Sequence, residues 1–352
     1  MRRLLAIIFA TLCLLPAAAF AQDSKLVWEL DKDSYLDVTD LGFRFYYPVG
    51  WVWDTGSSGI VIAPTQADLD AQLDDDDSTL PEGQVITILG IPMTALADLG
   101  DKPTMDQLAD FVVETGKITQ TERFELPVMA RRSIWVVGEN SLGRSGIGTF
   151  WTQNGYLILT SLGAPDTATI NDSIYTWGYT LASVTPLDAE DLGTEKLSSA
   201  VSQFTISYPD GWTPDPDPGQ SDTIVYELAD DINQELAKVD GLFLSVIDSP
   251  LTDLSFPADI KVEDLTAAMN TSFGLGKTAT TEEFVFLDQP ALVASGEIDD
   301  GSGGKRGLIL TAAVVGENAV VFVLLAPTAE RATEFLPTWT AMLQSVTSTA
   351  TT

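Results

Sequence analysis

The stretch Phe45-Tyr46-Tyr47-Pro48-Val49-Gly50-Trp51 returns as Ile206-Ser207-Tyr208-Pro209-Asp210-Gly211-Trp212, with the two Trp residues 161 positions apart. Downstream, Trp177 pairs with Trp339 and Val184 with Val346, each at a spacing of 162. A spacing held that closely marks a duplicated domain. The expected layout is a first repeat over residues 22–186, a linker over 187–196 and a second repeat over 197–352. The linker is short, so the repeats are expected to touch or to hinge within limits.

Within the repeated stretch, Phe43, Phe45 and Tyr47 alternate with Arg44 and Tyr46, and Phe204, Ile206 and Tyr208 alternate with Thr205 and Ser207. Period two predicts a strand with one buried face. Pro48 and Pro209 end ladder pairing, Gly50 and Gly211 allow a positive φ, and Trp51 and Trp212 are expected to fold back as apolar anchors. Further strands are predicted over residues 59–63, matched by 223–226, and, after an acidic polar stretch, over 85–91, matched by 243–249. Thr104 and Gln107 have the form of a capping box for a helix carrying Leu108, Phe111 and Val112; its counterpart carries Val262, Leu265, Met269 and Phe273. A meander follows, with strands over 123–126 and 133–138, and Asn154-Gly155 marks a hairpin between 147–152 and 156–162. In the second repeat, Gly316-Glu317-Asn318 separates two apolar runs, 308–315 and 319–326. Each repeat closes on a helix, with Ile170, Ile174, Trp177, Leu181 and Val184 in one and Phe335, Trp339, Leu343 and Val346 in the other. Pro337 is expected to kink the second helix or reset its start. The fold class is therefore α+β: two homologous domains, each a mainly antiparallel sheet packed with helices.

A strand ending in Tyr-Pro-x-Gly-Trp, a capped helix, a meander and a last helix ending in Ser-Val together resemble the PsbP-like superfamily. The residues concerned are Tyr47, Pro48, Gly50, Trp51 and Ser183-Val184, then Tyr208, Pro209, Gly211, Trp212 and Ser345-Val346. The resemblance covers nearly the whole chain as a tandem pair. It implies fold more than function. That superfamily includes a photosystem II extrinsic subunit that helps retain calcium and chloride, bacterial envelope proteins and lipoproteins, and a nuclear protein that binds the Ran GTPase. Such proteins are mostly non-catalytic binding or assembly factors, and no site residues of theirs map onto this chain.

The amino terminus reads as an export signal: Arg2 and Arg3, an apolar run over 4–15, and Ala19-Phe20-Ala21 as a cleavage site before Gln22. The expected signal peptide spans residues 1–21, and the expected location is extracytoplasmic, periplasmic or secreted. No transmembrane segment is expected after cleavage. Net charge is −33, which disfavours nucleic acid and anionic membranes as partners.

Histidine is absent and Cys13 is the single cysteine, so Ser-His-Asp triads, imidazole bases, thiol nucleophiles and thiolate zinc sites are excluded beyond the signal. Carboxylates remain. Asp74, Asp75, Asp76 and Asp77 form the densest cluster and would suit calcium, although the run lacks the alternating ligands, central Gly and terminal Glu of an EF-hand loop. Asp215, Asp217 and Asp222 form a looser set between prolines. Nothing singles out a carboxylate pair of the glycosidase kind, and Gly301-Ser302-Gly303-Gly304 reads as a hairpin loop. The expected function is a non-enzymatic exported binding or assembly protein with a protein or small-molecule partner and no cofactor. The alternatives are a carboxylate-dependent enzyme on extracellular polymers and a calcium-binding envelope protein. Function is expected where the copies differ, as in the acidic run Asp74–Asp77 of the first or the Pro214-Asp215-Pro216-Asp217-Pro218 loop of the second, and the cleft between the domains or one sheet face is where residues unequal between the copies would localise it.

Overall fold

The computed structural model describes residues 26–350 apart from 57–58, 75–79, 101–102, 216–221, 233, 235–237, 276–278 and 301–302. The expected signal peptide lies outside the described residues. The chain divides into two compact units between Leu187 and Asp188.

The first unit runs β1 (Leu30–Val38), β2 (Phe43–Pro48), β3 (Val52–Gly56), β4 (Gly59–Ala63), α1 (Gln66–Leu73), β5 (Val85–Pro92), α2 (Met105–Thr115), β6 (Thr119–Glu125), β7 (Ile134–Glu139), β8 (Ser145–Gln153), β9 (Tyr156–Ala164), α3 (Thr167–Ala182) and β10 (Thr185–Pro186). The second runs β11 (Leu192–Ser199), β12 (Phe204–Pro209), β13 (Thr213–Pro214), β14 (Asp222–Tyr226), β15 (Phe243–Pro250), α4 (Val262–Ser272), β16 (Thr280–Phe286), β17 (Gln289–Asp299), β18 (Lys305–Val315), β19 (Asn318–Ala326), α5 (Ala329–Gln344) and β20 (Thr347–Ser348). Among the described residues each unit holds a seven-stranded antiparallel sheet, ordered β3-β4-β5-β9-β8-β7-β6 and β13-β14-β15-β19-β18-β17-β16. Each also holds a three-stranded sheet, β1-β2-β10 and β11-β12-β20. Strand for strand, the second unit repeats the first.

The turns are those that the sequence dictates. Gly50 and Gly211 have φ of 81° and 85°, and the Asn154-Gly155 hairpin has φ of 50° and 78° at its two central residues, as a type I′ turn requires. Trp212 is buried and stacks on Phe335 with ring centroids 5.5 Å apart, whereas Trp51 is half-buried against Trp28 at 5.7 Å. The capping box at Thr104 and Gln107 forms, with both reciprocal hydrogen bonds present. Pro337 does not reset its helix. It starts at Ala329, capped by Thr328, and runs through the proline to Gln344, held down by buried Phe335, Trp339, Met342 and Leu343.

β1 and β11 are strands that no apolar alternation in the sequence marks. β1 carries four charged or polar residues in succession and is an edge strand with mostly exposed side chains, so its pattern lacks a strong apolar alternation. α1 is equally unmarked, because its only buried apolar side chain is Leu69. That helix is set by Thr65, whose side chain accepts from the Asp68 backbone N–H.

One face of each large sheet is covered by the small sheet and the last helix. In the first unit Trp177 is fully buried and donates from Nε1 to Thr149 Oγ1 at 3.3 Å. In the second, Trp339 Nε1 donates to Thr311 Oγ1 at 3.0 Å, again with both residues buried. The same indole, the same acceptor and the same strand fix the helix in both copies.

Thr149→Val and Thr311→Val keep the side-chain shape but leave an indole N–H buried and unpaired, which costs about 1–3 kcal/mol. Urea unfolding followed by tryptophan fluorescence is expected to show each substitution destabilising its own unit by that amount; unchanged midpoints would contradict the anchoring role.

Candidate functional site

The opposite face of the sheet is where the copies part. The pleat sends Val85, Thr87 and Leu89 of β5, Leu159, Ser161 and Gly163 of β9, Gly146, Gly148 and Phe150 of β8, and Ile134, Val136 and Gly138 of β7 to this side. Pairing register arranges them in cross-strand rows: Val85–Gly163–Gly146–Gly138, then Thr87–Ser161–Gly148–Val136, then Leu89–Leu159–Phe150–Ile134.

The second unit has the same rows, reached by counting back from its hairpin turn: Phe243–Leu325–Leu308–Gly296, Ser245–Val323–Leu310–Ala294 and Ile247–Val321–Ala312–Leu292. Leu308, Leu310, Val323 and Leu325 therefore stand where the first unit has Gly146, Gly148, Ser161 and Gly163. Those four aliphatic residues are buried in a core with Leu265 of α4.

In the first unit the missing side chains leave a pocket of about 300 Å³. Its floor includes Thr87, Gly146, Gly148, Ser161 and Gly163; Ala71 and Gln72 of α1 line one wall and Val112 of α2 another, with Leu80, Leu142, Asn140 and Arg144 completing it. The third row is filled instead by a local core, where Phe150 and Leu157 pack with Leu108 and Met105 of α2. Thr87 and Ser161 are direct cross-strand partners. Neither hydroxyl has a side-chain hydrogen-bond partner among the described residues.

A polar clamp holds the loop beside the pocket. Arg144 donates to the carbonyls of Pro81 and Gly83, the latter at 3.0 Å, while Asp68 Oδ1 accepts from the Gly83 N–H at 2.9 Å. The second unit repeats the device: Arg306 donates to the Val239 carbonyl at 2.7 Å, and Asp231 accepts from the N–H groups of Asp240 at 3.1 Å and Gly241 at 2.7 Å. Because it occurs in both copies, the clamp is a property of the fold and not of the pocket. Burial alone would raise the Asp68 carboxyl; hydrogen bonds from Thr65 and from the backbone of Gly83 and Glu82, with Arg144 nearby, outweigh it and hold the group below the usual carboxylate range. Burial lowers the Arg144 guanidinium, and Asp68 partly offsets this.

Of the acidic cluster, Asp74 is exposed, ends α1 through its N–H to the Asp70 carbonyl at 2.9 Å, and lines the pocket rim. Asp75, Asp76 and Asp77 lie outside the described residues. Asp215 donates its N–H to the Ile224 carbonyl at 2.8 Å, Asp222 begins β14, and Asp217 lies outside the described residues. Gly301 and Ser302 also lie outside them; Gly304 closes the β17–β18 connection by donating to Asp300 Oδ1 at 2.9 Å. Among the described residues no group of three or more carboxylates could hold a metal ion, and no helix is long and apolar enough to cross a membrane. The pocket residues were missed because isolated glycines in a strand read as weak positions. The signal that finds them is the comparison of the copies at a spacing of 162, where glycine faces leucine.

No protein-family model and no curated protein matches the chain. Among solved structures, it is similar to the cyanobacterial PsbP protein (CyanoP) of Synechocystis, at 14% identity over 47% of this chain and 97% of that one, with a TM-score of 0.31. It is also similar to a Bacteroides thetaiotaomicron protein, at 11% identity over 44% of this chain and 48% of that one, with a TM-score of 0.28.

Two expected outcomes follow from the site. Asp68→Asn removes a carboxylate whose pKa is depressed in the folded state. Its stabilisation is therefore present above the unfolded carboxylate value and is lost as pH falls through the folded one. Urea unfolding of the two proteins is expected to differ by about 1.5–3 kcal/mol at pH 7, with the gap closing in acid; a gap that does not change with pH would contradict this role. Separately, a Cβ on Gly163 meets only the Val85 carbonyl, at 3.8 Å. Carrying the second unit's residues across as Gly163→Leu with Ser161→Val is expected to raise the first unit's stability by about 1–3 kcal/mol. A lower urea midpoint would show that the space is not an unfilled core.

Proposed function

We propose that this chain is an exported, non-enzymatic binding protein whose first domain holds a small molecule in the pocket on the sheet face opposite its last helix. The observation that carries this reading is the exchange of Leu308, Leu310, Val323 and Leu325 for Gly146, Gly148, Ser161 and Gly163 at matching register positions. Phe150 stands where the second unit has Ala312, and its ring lies 3.0 Å from the place of a Gly148 Cβ, so part of the apolar burial is recovered there. At the remaining positions the first copy forgoes roughly 1.5–3 kcal/mol for each large side chain that the second copy buries. Stability forgone at a concave, largely apolar site with a few convergent polar groups is the usual signature of a ligand pocket. The second domain is the closed duplicate and serves as scaffold.

Further support comes from the missing catalytic chemistry: no histidine occurs in the chain and its single cysteine lies within the expected export signal. The resemblance of the two Tyr-Pro-x-Gly-Trp strand ends to the PsbP-like superfamily points the same way, toward binding or assembly.

A thermal-shift screen of small, mostly apolar compounds tests the reading. Hits are expected to raise the melting temperature of the wild type and to lose that effect in the Gly163→Leu, Ser161→Val variant. A screen without hits, or hits that act equally on both proteins, would contradict it.

A further inference from the structure

The pocket also carries information about which ligand it takes, an inference that rests on the binding reading above. Its walls and floor are mainly apolar, and at about 300 Å³ it sits at the small end of ligand cavities, which run to roughly 1,000 Å³. The floor offers two hydroxyls side by side, from Thr87 on β5 and Ser161 on β9, with no side-chain partners among the described residues. A hydroxyl both donates and accepts, so the pair can hold one alcohol, carbonyl or amide group of a guest.

The charges nearby do not compensate an ion on that floor. Arg144 directs its terminal nitrogens to the Pro81 and Gly83 carbonyls. Asp74 stands exposed at the rim, and the chain as a whole carries −33. A carboxylate would find the Arg144 donors already committed to these carbonyls and the Arg144 charge already facing Asp68, and would enter an anionic field. An ammonium seated on the floor would lose its hydration for two neutral dipoles. From the paired hydroxyls, the small apolar cavity and the absence of a charge partner on the floor, we infer that the ligand is a small, uncharged, mostly apolar molecule with one hydrogen-bonding group seated between Thr87 and Ser161.

Calorimetric titration of the full chain with 1-octanol, octanoate and octylammonium varies the head group on a constant tail. The alcohol is expected to bind at least about ten-fold more tightly than either ion, which corresponds to one unit in log affinity. Thr87→Val with Ser161→Ala is expected to weaken the alcohol by about five- to ten-fold, while urea unfolding confirms that this variant is folded. Tighter binding of octanoate or octylammonium, abolished by Gly163→Leu with Ser161→Val, would overturn the ligand class and leave the binding reading standing. Alcohol binding that is absent, or indifferent to loss of the two hydroxyls, would also overturn the inference. Alcohol binding indifferent to pocket filling would overturn the binding reading itself.

Discussion

The pleat of the large sheet governs everything else in each unit. Alternate residues of β7, β8 and β9, and of their partners β17, β18 and β19, point to opposite faces, so two covers are required for one set of strands. On one face the cover is the last helix with the small sheet, and there the copies agree to the level of a single hydrogen bond, from Trp177 to Thr149 and from Trp339 to Thr311. On the other face the copies are free to differ, because the helix that anchors the unit does not rest there. A duplicated fold can thus keep its stability on one side of the sheet while changing its chemistry on the other.

The energetic contrast between the copies is large on the scale of domain stability. Four aliphatic side chains buried in the second unit are replaced in the first by three glycines and a serine. Each large side chain is worth roughly 1.5–3 kcal/mol when buried, against a total of only about 5–15 kcal/mol for a typical domain. The first unit compensates locally. Phe150 and Leu157 form a separate core with α2, and α1 seats Leu69 beside Val61, Ala63 and Val85. These two patches flank the empty rows and give the pocket its walls.

Much of the fold was legible in the sequence, and the reasons are specific. The Tyr-Pro-x-Gly-Trp repeat announced the duplication, Asn154-Gly155 announced a hairpin that forms, and Thr104 with Gln107 announced a capping box that forms. β1 and β11 were not legible, because exposed edge strands carry charge where buried strands carry alternation. α1 was hidden among acidic residues, since a helix with one buried apolar side chain has almost no amphipathic signature. The site was the least legible part. Its residues are defined by what they lack, and a glycine gains meaning only when register sets it against the leucine of the other copy. The Asp68–Arg144 and Asp231–Arg306 clamps were equally hidden, because they join residues that only folding brings together.

One face of the first unit's sheet carries a mainly apolar pocket, where the matching face of the second is filled by Leu308, Leu310, Val323 and Leu325. Xenon binds such cavities without regard to their natural ligands. Crystals of the full chain equilibrated under xenon pressure provide the most direct measurement. Xenon density is expected over Gly146, Gly148, Ser161 and Gly163, and none over Leu308, Leu310, Val323 and Leu325. Xenon in neither unit, or equally in both, would contradict it.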